Sequence, residues 1–314
     1  MKEVLIYIAV AGILLLSGSA TVLAQQAPVS KPSTVRSLQL IITDNKGNSL
    51  GDVQPADLEL KENGVPVTVD SLEMIEKPVH YGLLIDVSGS LRSQFPLVLD
   101  AARRVISSNT QEDQTFILRF IDKFEMVQNS TSNKAALFSA IDQLKPDRGQ
   151  TALFDSLYLA AKWLQEINDP TRRKALVVIT DGENRSSSVR EKELFDLLRE
   201  TDLNIFIIGV AEELDRSGGL IRASVYERSV EFLQKLAKET GGRLFFAKKN
   251  IEPTLVDQIA HDLRRQYVLK YLSPNAMPGS GHKVEIKVIG TKDEKKLKAI
   301  YRPSYTAQQL LNDN

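Results

Sequence analysis

The stretch Tyr81-Gly82-Leu83-Leu84-Ile85-Asp86-Val87-Ser88-Gly89-Ser90 decides the reading of this chain. Its first half is a short, uninterrupted apolar run. Such runs mark strands buried on both faces, as in parallel sheets. Its second half places Asp86, Ser88 and Ser90 at alternate positions, so an extended-to-tight loop aims three oxygens to one side. Outward from here the pattern repeats. Thr115–Ile121 (TFILRFI), Ala175–Thr180 (ALVVIT), Leu203–Val210 (LNIFIIGV) and Arg243–Ala247 (RLFFA) read as further apolar strands. Phe124–Gln128 reads as an edge strand. Helical spacing predicts helices over Phe95–Ser107, Asn133–Leu144, Thr151–Ile167, Val189–Glu200, Val230–Glu239 and Glu252–Arg265. Strands alternating with helices imply an α/β fold, a mostly parallel sheet covered on both faces.

The flanks follow another rhythm. Residues 35–79 read as strands, with SLQLIIT (37–43), LELKE (58–62) and VPVTVDSLEM (65–74) and no helix. Asn63-Gly64 between two alternating runs is a hairpin signal. Residues 266–304 return to strands, with QYVLKYL, HKVEIKVIG and KKLKAIYRP, and 305–314 read as a tail. Because these β segments bracket the α/β part (80–265), both are expected to pack into one antiparallel β-sandwich. At the other end, Lys2 precedes an apolar run from Val4 to Leu16, and Val22-Leu23-Ala24 offers small residues before a cut. That reads as a secretory signal peptide over residues 1–24. Residues 25–34, with two prolines, read as a linker. The expectation is an exported protein, periplasmic or secreted, with no membrane span after cleavage; a retained anchor is the alternative.

Composition narrows the chemistry. The 314 residues hold 40 Lys and Arg against 40 Asp and Glu, three histidines and no cysteine. Without cysteine, disulfide scaffolds, thiolate metal sites and thiol catalysis are excluded. Zero net charge argues against nucleic acid as a partner. What remains is oxygen chemistry at strand ends, where open parallel sheets place their ligands. Asp86, Ser88 and Ser90 follow one strand. Thr180-Asp181-Gly182 ends another. Between them Arg148-Gly149-Gln150-Thr151 delivers a hydroxyl at the start of a helix. Two carboxylates and three hydroxyls suit a hard divalent cation such as Mg²⁺ or Ca²⁺ and leave it electrophilic enough for one more carboxylate. Singly, Ser90 and Thr151 also read as helix N-caps and Asp181-Gly182 as a turn. Asp155, one turn after Thr151, reads either as support for the Thr151 loop or as a first-turn acid. His261, His282 and Trp163 read as surface, satisfied or packing residues. There is no phosphate-binding glycine loop and no serine-hydrolase elbow.

With these motifs in view, Tyr81–Arg265 resembles the von Willebrand factor type A domain family. That family's metal-ion-dependent adhesion site uses D-x-S-x-S, a distant Thr and a distant T-D-G Asp. Asp86, Ser88, Ser90, Thr151 and Asp181 stand at the matching positions. The resemblance implies a Rossmann-like, doubly wound sheet with Mg²⁺ (or Ca²⁺ or Mn²⁺) at its top. It implies hydroxyls that contact the ion directly when ligand is bound, and Asp carboxylates that bind it directly or through water. The flanks are similar to those of a bacterial exported "VWFA-related" group. Leu91 stands where many members have Met, and Gln150 where a second glycine is common. The function so implied is non-enzymatic, metal-dependent binding of a protein that presents an Asp or Glu. A metal-assisted phosphate or ester hydrolase and a scaffold with a loop-bracing ion are the alternatives. Specificity is expected in the loops Glu183–Val189 and Ala211–Tyr226.

Overall fold

A computed structural model describes residues 34–210, 220–247, 251–274, 281–289 and 297–306. The predicted signal peptide, all of the predicted linker but Thr34, and most of the tail lie outside them. In chain order the elements are β1 (Thr34–Thr43), β2 (Leu58–Glu62), β3 (Val65–Val67), β4 (Val69–Glu76), β5 (Val79–Asp86), α1 (Phe95–Ser107), β6 (Gln114–Phe120), β7 (Phe124–Thr131), α2 (Lys134–Asp142) and α3 (Leu153–Glu166). They continue as β8 (Arg173–Thr180), α4 (Glu191–Glu200), β9 (Asn204–Gly209), α5 (Leu220–Glu239), β10 (Leu244–Phe246), α6 (Pro253–Arg264), β11 (Arg265–Ser273), β12 (Gly281–Val288), β13 (Lys298–Tyr301) and β14 (Ser304–Thr306).

β5 lies inside a six-stranded sheet of order β10-β9-β8-β5-β6-β7. All neighbours run parallel except β7, which pairs antiparallel with β6 at the edge. All eight residues of β5 are buried, as the apolar run requires. Its side chains divide by the strand period of two. Tyr81, Leu83 and Ile85 pack with α1, α2 and α6, whereas Leu84 packs with α3, α4 and α5. Gly82 sits opposite Phe116 on one neighbour and Leu176 on the other. A Cβ there would lie 2.4 Å from the Phe116 ring, so only glycine lets these large side chains meet.

The β flanks combine. β1 pairs with β11 on one side and with β13 on the other, and β4 pairs with β11. In a second sheet β2 pairs with β12 and β3, and β14 with β12. Each antiparallel sheet therefore draws strands from both ends of the sequence. One apolar cluster, with Leu38, Leu40, Ile42, Leu60, Tyr267, Leu269, Tyr271 and Val284, joins both sheets. This is the sandwich expected from the bracketing. Asn63 and Gly64, at φ 50° and 80°, form the predicted hairpin turn between β2 and β3.

The sandwich and the α/β part share short junctions. Two residues separate β4 from β5, and α6 runs straight into β11. Lys77 N–H donates to the Arg264 carbonyl at 3.1 Å, joining the two crossings. Ile41 of β1 turns away from the sandwich into the α/β core.

Some sequence expectations need correction. A 3₁₀ turn at Pro55–Asp57 interrupts the N-terminal flank, started by Pro55 and closed by the Asp57 carboxylate on Gln54 N–H. α5 begins at Leu220, so the second half of the predicted 211–226 loop is helical, while 211–219 lie outside the described residues. The helix closes where predicted. Gly241 takes φ 64°, and Gly242 N–H reaches back to the Ala237 carbonyl at 2.9 Å. Trp163 is 48% exposed rather than packed inside. The buried stripe of α3 runs through Leu157, Ala160, Ala161 and Leu164, leaving Trp163 on its flank, its ring tilted against that of Phe116. No helix among the described residues is long and apolar enough to cross a membrane.

Candidate metal centre

β5 and β8 are adjacent and parallel, so their last residues emerge at one edge. Asp86 ends β5 and is fully buried. Its Oδ1 accepts the Ser88 N–H at 2.9 Å, which folds the chain back after the strand. Its Oδ2 accepts the Thr180 hydroxyl from β8 at 2.7 Å. The Ser88 and Ser90 hydroxyls are 2.9 Å apart, so the alternate-residue spacing does gather them. Ser88 is buried and Ser90 exposed, so the pair leads from the interior to the surface. Ser88 does precede a 3₁₀ turn (Gly89–Gln94), but its side chain caps no N–H there.

Asp181 follows β8 directly. Its Oδ1 accepts Glu183 N–H at 3.0 Å. Gly182 turns the chain at φ 81°, where its N–H is held by Thr180 Oγ1 at 3.0 Å. The Thr180 hydroxyl thus ties both acidic loops together. The sequence reading noted Thr180 only as part of T-D-G and gave it no task. Its signal was its place as the last strand residue beside Asp86.

Thr151 is buried and stands two residues before α3. It is not the helix cap, since Ala152 holds that position without a side-chain bond. Its carbonyl instead accepts N–H groups of Arg185 and Ser186 at 2.8 and 3.1 Å. The free N–H groups of the first turn of α3 are served from another loop. Ser187 Oγ accepts from Phe154 and Asp155, and Asn184 Oδ1 also accepts from Phe154. Asp155 answers by accepting Ser188 and Val189 N–H at 3.0 and 2.7 Å. The Thr151 loop and the loop after Asp181 are therefore locked to each other. Of the two readings of Asp155, loop support is the one these bonds describe.

Burial pushes the Asp86 carboxyl up to about 7, and the neighbouring Asp181 charge adds to the rise. Bonds from Ser88 and Thr180 act in the opposite sense. Among the described residues neither aspartate forms an ion pair with Lys, Arg or His. A buried carboxylate such as Asp86, beside a second acid and with no organic cation next to it, is costly to ionise. A dication would relieve that cost, and the donors around it are all oxygens. The residues fit a hard divalent metal. Among the described residues no cluster of three His, Cys, Asp or Glu exists, so hydroxyls must complete any coordination here.

A cleft of about 870 Å³ opens beside Ser90 and Asp181. Phe154 and Phe232, tilted against each other with ring centroids 4.7 Å apart, form part of its wall, with Tyr226 and Arg185.

Residues 82–183, from β5 to just past Asp181, match the family model of the von Willebrand factor type A domain. The match spans about a third of the chain and lies inside the α/β part. No curated protein matches the chain in sequence. Among solved structures, a von Willebrand factor type A protein from Catenulispora acidiphila is 13% identical, over 82% of this chain and 74% of its own, with a TM-score of 0.46. Proximal thread matrix protein 1 of the mussel byssus, solved with a zinc-occupied adhesion-site motif, is 18% identical over 62% of this chain and 49% of its own, with a TM-score of 0.49. The manganese-loaded TRAP protein of Plasmodium vivax is 15% identical over 73% and 95%, with a TM-score of 0.44. The matched residues run from β5 into the loop after β8 and include Asp86, Ser88, Ser90, Thr151 and Asp181.

Proposed function

We propose that the chain is an exported, non-enzymatic protein-binding module that works through a divalent metal, Mg²⁺ being the ion of choice. Asp86, Ser88, Ser90, Thr151 and Asp181 would hold it. The observation that carries this reading is the uncompensated pair Asp86 and Asp181, set beside the Ser88 and Ser90 hydroxyls at one sheet edge. When bound, the ion supplies a Lewis-acidic position for one oxygen of a partner Asp or Glu. The chain's own residues prepare that position. Thr180 fixes the rotation of the Asp86 carboxylate, and Asp155, Asn184 and Ser187 hold the Thr151 loop against the loop after Asp181. Ligand groups whose partners are fixed in this way lose little freedom on binding. The charged start, apolar centre and small-residue exit of residues 1–24 support export.

Two measurements test the reading. Mn²⁺, followed by water-proton relaxation, should bind the full chain at one site and be displaced by Mg²⁺, and Asp86→Ala should abolish this. Immobilised chain should capture its partner from an envelope extract with Mg²⁺ and release it in excess chelator. Capture that is unchanged by chelator, with a folded Asp86→Ala protein still binding, would refute the metal-bridged mechanism.

A further inference from the structure

At the opposite end of β8 from Thr180, a second cavity of about 610 Å³ lies where the sandwich meets the α/β part. Parallel pairing of β5 with β8 puts it roughly 20 Å from Asp86, at about 3.3 Å per strand residue. Arg173, the first residue of β8, lines it and is only 7% exposed. Its Nη1 donates to the side-chain oxygens of Gln39 and Gln266. Its Nε has no partner. No carboxylate lies within ion-pair distance of this guanidinium among the described residues. The lining carboxylate that influences it, Asp202, is engaged by Gln39 Nε2 at 2.7 Å.

A buried arginine normally has an anion beside it, because an isolated buried charge is expensive. Lys77, Arg172, Arg173 and Lys174 line the cavity against Glu200 and Asp202, so cations outnumber carboxylates there. Neither Lys77 nor Lys174 forms an ion pair among the described residues. Lys174 makes only a 3.5 Å contact to the Gln165 carbonyl. The remaining lining includes apolar surface from Ile75, Leu164 and Val268. The volume is that of ordinary small-molecule pockets, which combine apolar walls with a few placed polar groups.

We propose that this junction cavity binds a small amphipathic organic anion, its carboxylate, sulfonate or phosphate head on Arg173 and its apolar body against Ile75, Leu164 and Val268. Such a ligand touches strands of the sandwich (β4, β11) and of the α/β part (β8) at once, so it should also stiffen their junction. The site is independent of the metal centre.

The test uses the full chain and the fluorescent sulfonate 1-anilinonaphthalene-8-sulfonate as probe. One saturable site is expected, with unchanged affinity in excess chelator and in Asp86→Ala, and with a raised melting temperature. The rim variant Lys77→Glu/Lys174→Glu, which alters no buried partner, should weaken binding at least tenfold. Arg173→Gln, checked for fold by circular dichroism, should abolish it. Non-saturable binding, equal affinity in the rim variant, or loss of binding with chelator would each overturn the proposal.

Discussion

The Thr180 hydroxyl donates to Asp86 and accepts from Gly182 N–H, so one oxygen sets the geometry of two acidic loops. Thr180→Val keeps the shape and removes both bonds. The buried Gly182 N–H left behind costs roughly 1–3 kcal/mol, and loss of such a support typically weakens metal binding about 10–100-fold. Mn²⁺ titration and thermal melting of the variant measure the two effects separately. Asp113 is a second residue with a legible consequence. It is buried at the junction and accepts Val79 and Thr110 N–H at 2.9 and 2.7 Å and the Arg264 guanidinium at 2.6 Å. Burial raises its pKa, but the Arg264 and backbone donors outweigh that and bring it below the usual aspartate value. A folded-state pKa below the unfolded one gives stability that is complete above the unfolded value, about 3.9. That stability is lost as pH falls through the folded value. Urea melts over an acid series should show this loss, and Asp113→Asn should show lower stability near neutrality with a shallower acid limb. Asp86, Ser88, Ser90 and Asp181 could be read from their motifs. Thr180, Asp113 and Arg173 could not, because each is bonded to residues 34 to 151 positions away.

β5 shows what an element needs in order to sit at the centre of a parallel sheet. Its run Leu83-Leu84-Ile85 gives apolar surface to both faces, and Gly82 admits Phe116 and Leu176 from the neighbouring strands. Gly82→Val should drive a methyl into the Phe116 ring and destabilise the protein by about 2 kcal/mol or more. Equilibrium denaturation reads this directly, and a stability unchanged within error would show that the sheet can spread. Strand type and order of appearance were legible because the apolar runs are uninterrupted. The start of α5 was not, since Gly218-Gly219 directly before it read as loop. Nor was the exposure of Trp163. Helical spacing gives a stripe, and which residues border it depends on how α3 leans on β6.

For the whole molecule, the two β flanks are one object. β1 lies between β11 and β13, and β2 between β3 and β12, so removing either flank strips pairing from the other. A chain truncated after Arg264 would expose Leu38, Leu40, Ile42 and Leu60 and leave β1 unpaired on both edges. Such an edge invites aggregation. The truncated protein is expected to be insoluble, or to elute as an aggregate in size-exclusion chromatography. Two flanks that remain soluble as separate pieces after limited proteolysis would contradict the interleaving.

Local signals, read from the sequence by itself, determined that this chain holds a doubly wound α/β sheet with an oxygen-rich acidic edge between antiparallel flanks. Apolar runs, helical periods, an Asn-Gly turn and the D-x-S-x-S and T-D-G spacings act over a few residues, and their physics is complete within that window. Tertiary structure alone decided the rest. It decided that Thr180 couples the acidic loops, that Asn184 and Ser187 cap a helix from another loop, and that β1 and β11 become neighbours. It also buried Arg173 between the sandwich and the parallel sheet without an ion-pair partner among the described residues. Each of these depends on which distant residues the sheet order brings into hydrogen-bond reach. Sequence spacing does not encode that order, because pairing energy is paid only once the strands have met.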